Sequence, residues 1–199
     1  MARTPEASEP DTLRAPRMAR AIDALYNRVD ARLLIGFAVA LVCVAGVNFA
    51  IYFAVFLPLT DGTAYMELNL GYTSADLFRF AEFYGAEGRR LYVVMSSTFD
   101  ALIPFLASSL LVMAAYLLEK RAGRRNRLGL TLAMGVCCCA SDWSENLCMI
   151  VLLTLYPVEY PINAALARTL TTCKYLFMVA SITLIVFAAL DLRRSRRAA

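Results

Sequence analysis

The sequence contains no histidine and a single tryptophan. Without histidine, the only side chain that titrates unperturbed near neutral pH is missing, and so is the commonest metal ligand. Acid–base chemistry must then fall to shifted carboxylates, lysine, tyrosine or cysteine. Paired-cysteine motifs are absent too: the six cysteines include Cys137-Cys138-Cys139 but no Cys-x-x-Cys. A thiol-redox centre like that of four-span quinone-linked oxidoreductases therefore lacks its motif, and so does a zinc site. Adjacent cysteines on a helix diverge, and these three read as small apolar packing residues. Charge is scarce as well, at 18% of residues with a formal net of +4. The arginines flank apolar runs, which points to membrane topology and not to nucleic-acid binding.

What the chain does have is apolar length. Sixty per cent of residues are apolar, too many for an ordinary soluble domain. Four runs reach the roughly 20 residues that a bilayer-spanning helix needs. They lie at about 33–57, 91–118, 128–156 and 164–190. Residues 1–17 are polar, Pro-containing and of mixed charge, and are expected to be a disordered tail without the features of a signal peptide or a mitochondrial presequence. In 18–32, Met18, Ile22, Leu25, Tyr26 and Val29 recur at helical spacing between arginines, which predicts an interfacial amphipathic helix. Pro58 is expected to end the first span. Thr73-Ser74-Ala75-Asp76 reads as a helix start, followed by a short aromatic helix over 77–84 that Gly85 closes.

The expected fold is therefore all-α: a four-helix transmembrane bundle with an inner interfacial helix and a short outer amphipathic helix, followed by a basic tail at 191–199. Dense basic clusters fall on one side: the N-terminal helix, residues 120–127 and the C-terminal arginines. Acidic residues such as Asp61, Glu67, Asp76 and Glu82 fall on the other. The positive-inside rule then puts both termini in the cytoplasm.

Inside the spans stand residues that a bilayer tolerates poorly. Asp142, Glu145 and Asn146 are at i, i+3 and i+4 and share one helix face. An aspartate at the centre of a membrane helix costs about 2.5–3.5 kcal/mol even on lenient scales. Counted at the helical rise from the outer end of each span, Asn48 and Asp100 are roughly 14 Å deep, Glu145 roughly 17 Å and Lys174 roughly 15 Å. Each span thus contributes a polar residue at one level, with three carboxylates facing one certain cation. One reading is interhelical glue, with Lys174 paired to Glu145 or Asp100 and Asn48 bonded across the bundle. The other is a site. An excess acid either keeps its proton through burial and like charge or pairs with something brought from outside.

Gly88-Arg89 with Tyr92, Asp100 with Pro104, Asp142-x-x-Glu145-Asn146 and Lys174-Tyr175 together resemble an uncharacterised family of four-span bacterial integral membrane proteins. The resemblance covers about residues 84–190. A tyrosine expected after the proline position is Ala107 here, which removes any hydroxyl role there. The resemblance implies a fold and a site but no activity.

Asp100 and Glu145 are the candidate proton donors or acceptors, and Lys174 their charge partner. Asn48, Asp142, Asn146, Arg89 and Tyr92 are candidate ligand-binding residues, Arg89 with Arg90 holding an anionic group at the outer mouth or simply contacting headgroups. Asp100, Asp142 and Glu145 could gather a divalent cation, but Lys174 opposes it, so no metal and no cofactor are expected. The expected partners are membrane lipids, a hydrophobic small molecule and a second copy of the chain. Two function classes follow: a site for a lipid or hydrophobic small molecule from the outer leaflet, or a small proton-coupled transporter or structural bundle.

Overall fold

The computed structural model describes residues 17–65 and 72–198. The N-terminal tail, the side chain of Met18 and Glu67 lie outside the described residues. Helices α1 Arg17–Arg28, α2 Ala31–Ile51, α3 Leu57–Leu59, α4 Ser74–Phe83, α5 Gly85–Arg121, α6 Leu128–Leu155 and α7 Pro161–Ala198 follow in order, and no strand occurs among the described residues. Four helical stretches are long and apolar enough to cross a membrane: Ala31–Leu59, α5, α6 and α7. The chain is an all-α, multi-pass membrane protein.

Local chemistry sets the helix ends. The chain breaks between α1 and α2 at Asp30, whose carboxylate accepts from the Leu33 amide at 2.8 Å and so caps α2. Lys120 Nζ lies 3.4 Å from the carbonyls of Asn27 and Val29, tying the end of α1 to the end of α5. At α4 the expected helix start is present, and Thr73 and Asp76 form a complete capping box there. Those amide and hydroxyl bonds from Thr73, with Arg79 nearby, hold the Asp76 carboxyl below the usual aspartate range. Gly85 has φ +61°, a left-handed residue that lets the chain leave α4 and start α5 at once.

The spans differ from expectation at their ends. The first does not stop before Pro58. A π turn, Tyr52–Phe56, shifts the bonding register, with the Leu57 amide bonding to the Tyr52 carbonyl, and the helix continues as α3. The second begins at Gly85, not at 91. The fourth starts at Pro161 and carries through 191–198 as helix where a basic tail was expected. Asp191 explains the continuation. It is buried, and its carboxylate binds Arg127 at 2.8 Å and Arg124 at 3.0 Å, docking the arginine-rich end of α7 on the α5–α6 turn.

Helices α5, α6 and α7 pack on one another, while α2 lies mainly against α5. The outward face of the first span exposes Ile35, Val39, Val42, Phe49 and Phe53, as a lipid-facing stripe would. Two apolar clusters bracket the bundle. The one at the α4 end joins Tyr52, Phe56, Tyr72, Tyr84, Tyr92 and Met149. The one at the α1 end joins Tyr26, Val29, Val112, Tyr116 and Leu128. The polar layer lies between them along the helices.

Candidate functional site

Glu145 is the centre of the site. It has no solvent exposure, and Lys174 Nζ stands 2.6 Å from its Oε2. The same ammonium is 3.6 Å from Asp142 Oδ1. Two carboxylates one turn apart on α6 thus share a lysine of α7, as the i, i+3 spacing allows. The other carboxylate oxygen of Glu145 accepts from Thr171 Oγ1 at 2.5 Å. Thr171 in turn is 2.6 Å from the Tyr72 hydroxyl, in the segment that leads into α4. A row of polar contacts therefore runs Tyr72, Thr171, Glu145, Lys174, Asp142. Its outer end is buried, with Tyr72 2% exposed. Its other end is partly open, with 24% of the Asp142 side chain exposed.

Asn146 extends the row to α5. Its Nδ2 donates to Asp142 Oδ1 at 3.3 Å and to the backbone carbonyl of Asp100 at 3.2 Å. That carbonyl is available for a definite reason. Its helical partner would be the amide of residue 104, and Pro104 has none. The Asp-x-x-x-Pro and Asp-x-x-Glu-Asn motifs are thereby linked by one hydrogen bond. The Asp100 carboxylate, half-buried, accepts from Ser96 at 3.4 Å. One turn inward of Asn146, the Trp143 indole donates to the Ala101 carbonyl at 2.9 Å.

This linkage makes a direct prediction. In the native chain, Asn146→Leu leaves the Asp100 carbonyl without a donor and is expected to cost about 1–3 kcal/mol. In a Pro104→Ala background the new amide serves that carbonyl, so the same substitution costs less. A double-mutant cycle on detergent-solubilised protein measures the difference. Equal cost in both backgrounds would show that Pro104 does not free the carbonyl for Asn146.

The expected residues thus divide. The structure brings Asp142, Glu145, Asn146 and Lys174 into direct contact and joins Asp100 to them through its backbone. Asn48 is buried on α2, but its Oδ1 has no hydrogen-bond partner among the described residues. Arg89 and Tyr92 belong to the aromatic cap at the α4 end. Arg89 donates to the Ala81 carbonyl near the end of α4 at 2.7 Å and stacks 4.1 Å from the centre of the Tyr156 ring. Tyr92 packs in an aromatic cage with Phe56, Tyr65 and Tyr84. Gly88 completes that motif by close packing, since a Cβ there would come within 2.8 Å of Thr60 Cγ2. Gly88, Arg89 and Tyr92 together seat α4 and the residues before it over the polar layer.

Sequence reasoning did not single out Thr171 and Tyr72. Thr171 had a signal, standing three residues before Lys174 on the same helix face. Tyr72 had none, because nothing in its neighbours along the chain sets it beside Thr171 of α7. No group of three or more metal-ligating side chains suited to a metal ion occurs among the described residues. Comparison with protein-family models, with curated proteins and with solved structures yields no match, so the site is read from its own geometry.

Proposed function

We propose that the cluster of Asp100, Asp142, Glu145, Asn146 and Lys174 binds the polar end of a lipid or hydrophobic small molecule taken from the outer leaflet. Asp100 and Glu145 serve as proton donors or acceptors, and Lys174 as their charge partner. The observation that carries this reading is the bond row from Tyr72 through Thr171 to Glu145. It couples a wholly buried acid to the aromatic cap, so that lifting the cap would break the Tyr72 end of that row. A pure helix clamp needs one acid per base, whereas here two carboxylates meet one ammonium. An activity that moves protons or binds a hydrogen-bonding ligand has use for such a pair.

The test is Glu145→Gln. The native protein is expected to co-purify with a hydrophobic small molecule, read by mass spectrometry, and the variant to remain folded and to lose it. An infrared band from a protonated carboxyl at neutral pH is expected in the native protein and absent in the variant. Full ligand retention in the variant, or no such band in the native protein, would sink the proposal. The same bond row also favours a second reading, a small proton-coupled transporter. It predicts proton uptake into vesicles that Glu145→Gln abolishes.

For orientation we propose cytoplasmic termini in a bacterial inner membrane. Contacts of the α5–α6 turn with Asp23 and Asp191 gather α1, that turn and the end of α7 at one pole, and the arginines there are the dense basic clusters that the positive-inside rule places in the cytoplasm. A single cysteine at residue 75 in a cysteine-free background is expected to react only with impermeant reagent on the outer side. Labelling only from the cytoplasm would reverse the orientation.

A further inference from the structure

Beside the polar cluster, on the cytoplasmic side of Trp143, a lateral groove of about 470 Å³ opens between the start of α2, the middle of α5 and the first half of α6. Phe37, Phe105, Val112, Leu132, Cys139 and Trp143 are among its walls, which are almost wholly apolar. Its volume sits toward the lower end of the roughly 300–1,000 Å³ usual for small-molecule sites. That suits one alkyl chain better than the pair carried by a phospholipid.

The groove has a direction. On α6, Leu132, Val136, Cys139 and Trp143 line it at intervals of three and four residues, and the next residue on that stripe is Asn146. The Trp143 indole, bonded to the Ala101 carbonyl, closes the outer end of the groove. Immediately beyond it Asn146 is 4% exposed. Its Nδ2 has two acceptors, which fixes the orientation of the amide. Its Oδ1 is buried and accepts no hydrogen bond among the described residues. A buried amide oxygen calls for a donor. The neighbouring carboxylates of Asp142 and Asp100 make that place a poor one for a phosphate or carboxylate head, and a good one for an O–H.

We infer that the occupant is a long-chain alcohol whose chain lies along the groove toward Leu25 and Leu33 and whose hydroxyl, once the Trp143 indole swings off the Ala101 carbonyl, donates to Asn146 Oδ1 beside Asp142. Polar end outward and chain inward is also how an amphiphile of the outer leaflet lies. This inference rests on the proposed function and names the class of molecule that the same site takes. The indole of Trp143, half-exposed at the junction, is the gate between head and chain compartments.

The experiment uses the full chain in phosphatidylcholine nanodiscs and hexadecanol carrying a diazirine at the end of its chain. Photolysis is expected to label the peptides containing Leu25, Leu33 or Met113. Unlabelled hexadecanol should compete about tenfold better than its methyl ether, the factor given by about 1.4 kcal/mol of hydrogen bonding. Ala140→Phe, which fills the groove without altering a cluster side chain, should abolish labelling with the melting temperature retained. Cys139→Phe is the second variant should the first unfold. Equal competition by alcohol and ether, or labelling unchanged when the groove is filled, would overturn the inference and leave only bulk lipid along the wall.

Glu145→Gln separates this inference from the reading beneath it. If the variant still takes the alcohol in the groove, the inference stands and the role of Glu145 falls. If it loses the co-purifying molecule while alcohol and ether compete alike, the site reading stands and the inference falls.

Discussion

Lys174→Ala is expected to destabilise the protein by about 3–5 kcal/mol, the usual cost of removing one partner from a buried ion pair. The ammonium lies 2.6 Å from Glu145 and 3.6 Å from Asp142, so its loss strips a cation from two carboxylates at once. The cost does not measure what the ion pair adds to folding. Most of it is the penalty of leaving Glu145, with no exposure to solvent, charged in an apolar medium. The remedy follows from the cause. Glu145→Gln in the Lys174→Ala background removes the stranded charge and keeps an acceptor for Thr171, so the double variant should be the more stable of the two. Denaturation in detergent, followed by loss of helical signal, gives both values. If the double variant is no more stable than Lys174→Ala alone, Glu145 is not the carboxylate that Lys174 compensates.

Much of the polar layer was legible because helical periodicity and the helical rise are fixed numbers. The 142–145–146 spacing puts three polar groups on one face whatever surrounds them, and counting depth from span ends brought Lys174 to their level. Periodicity gives a face and a depth, but not the neighbour that the face is turned against. That is why Asn48, at a comparable depth, could be placed in the layer although its Oδ1 takes no bond there. It is also why Arg89, read as holding an anion or contacting headgroups at the mouth, could be placed there without its α4 carbonyl and Tyr156 ring partners being foreseen.

The inner pole shows the same limit. Arg124 and Arg127 carried the topology signal, but nothing in their order along the chain disclosed that Asp191 and the buried Glu119 receive them. Nor did it show that α7 would remain helical to reach them. The Asp100–Pro104 spacing was visible as a motif. Its meaning, a carbonyl released by a missing amide, required the position of Asn146 on the facing helix.

How closely the facing helices approach is tested by Gly135. It is buried on α6, and a Cβ built there would overlap Cγ2 of Val112 on α5. Close approach through a small residue is how membrane helices gain contact without a hydrophobic drive between them. Two effects of opposite sign meet in Gly135→Ala. The helix itself gains about 1 kcal/mol from alanine. Overpacking costs about 1–3 kcal/mol, and Val112 yields poorly because a β-branched side chain in a helix has one strongly preferred rotamer. The expected net is a loss of up to about 2 kcal/mol. In a Val112→Ala background the obstructing methyl is gone and only the helix gain remains. Gly135→Ala should therefore stabilise that background by about 1 kcal/mol, reversing its sign. Thermal melts of the four proteins in one detergent provide the cycle. A loss of equal size in both backgrounds would show that contact with Val112 is not what requires glycine at this position.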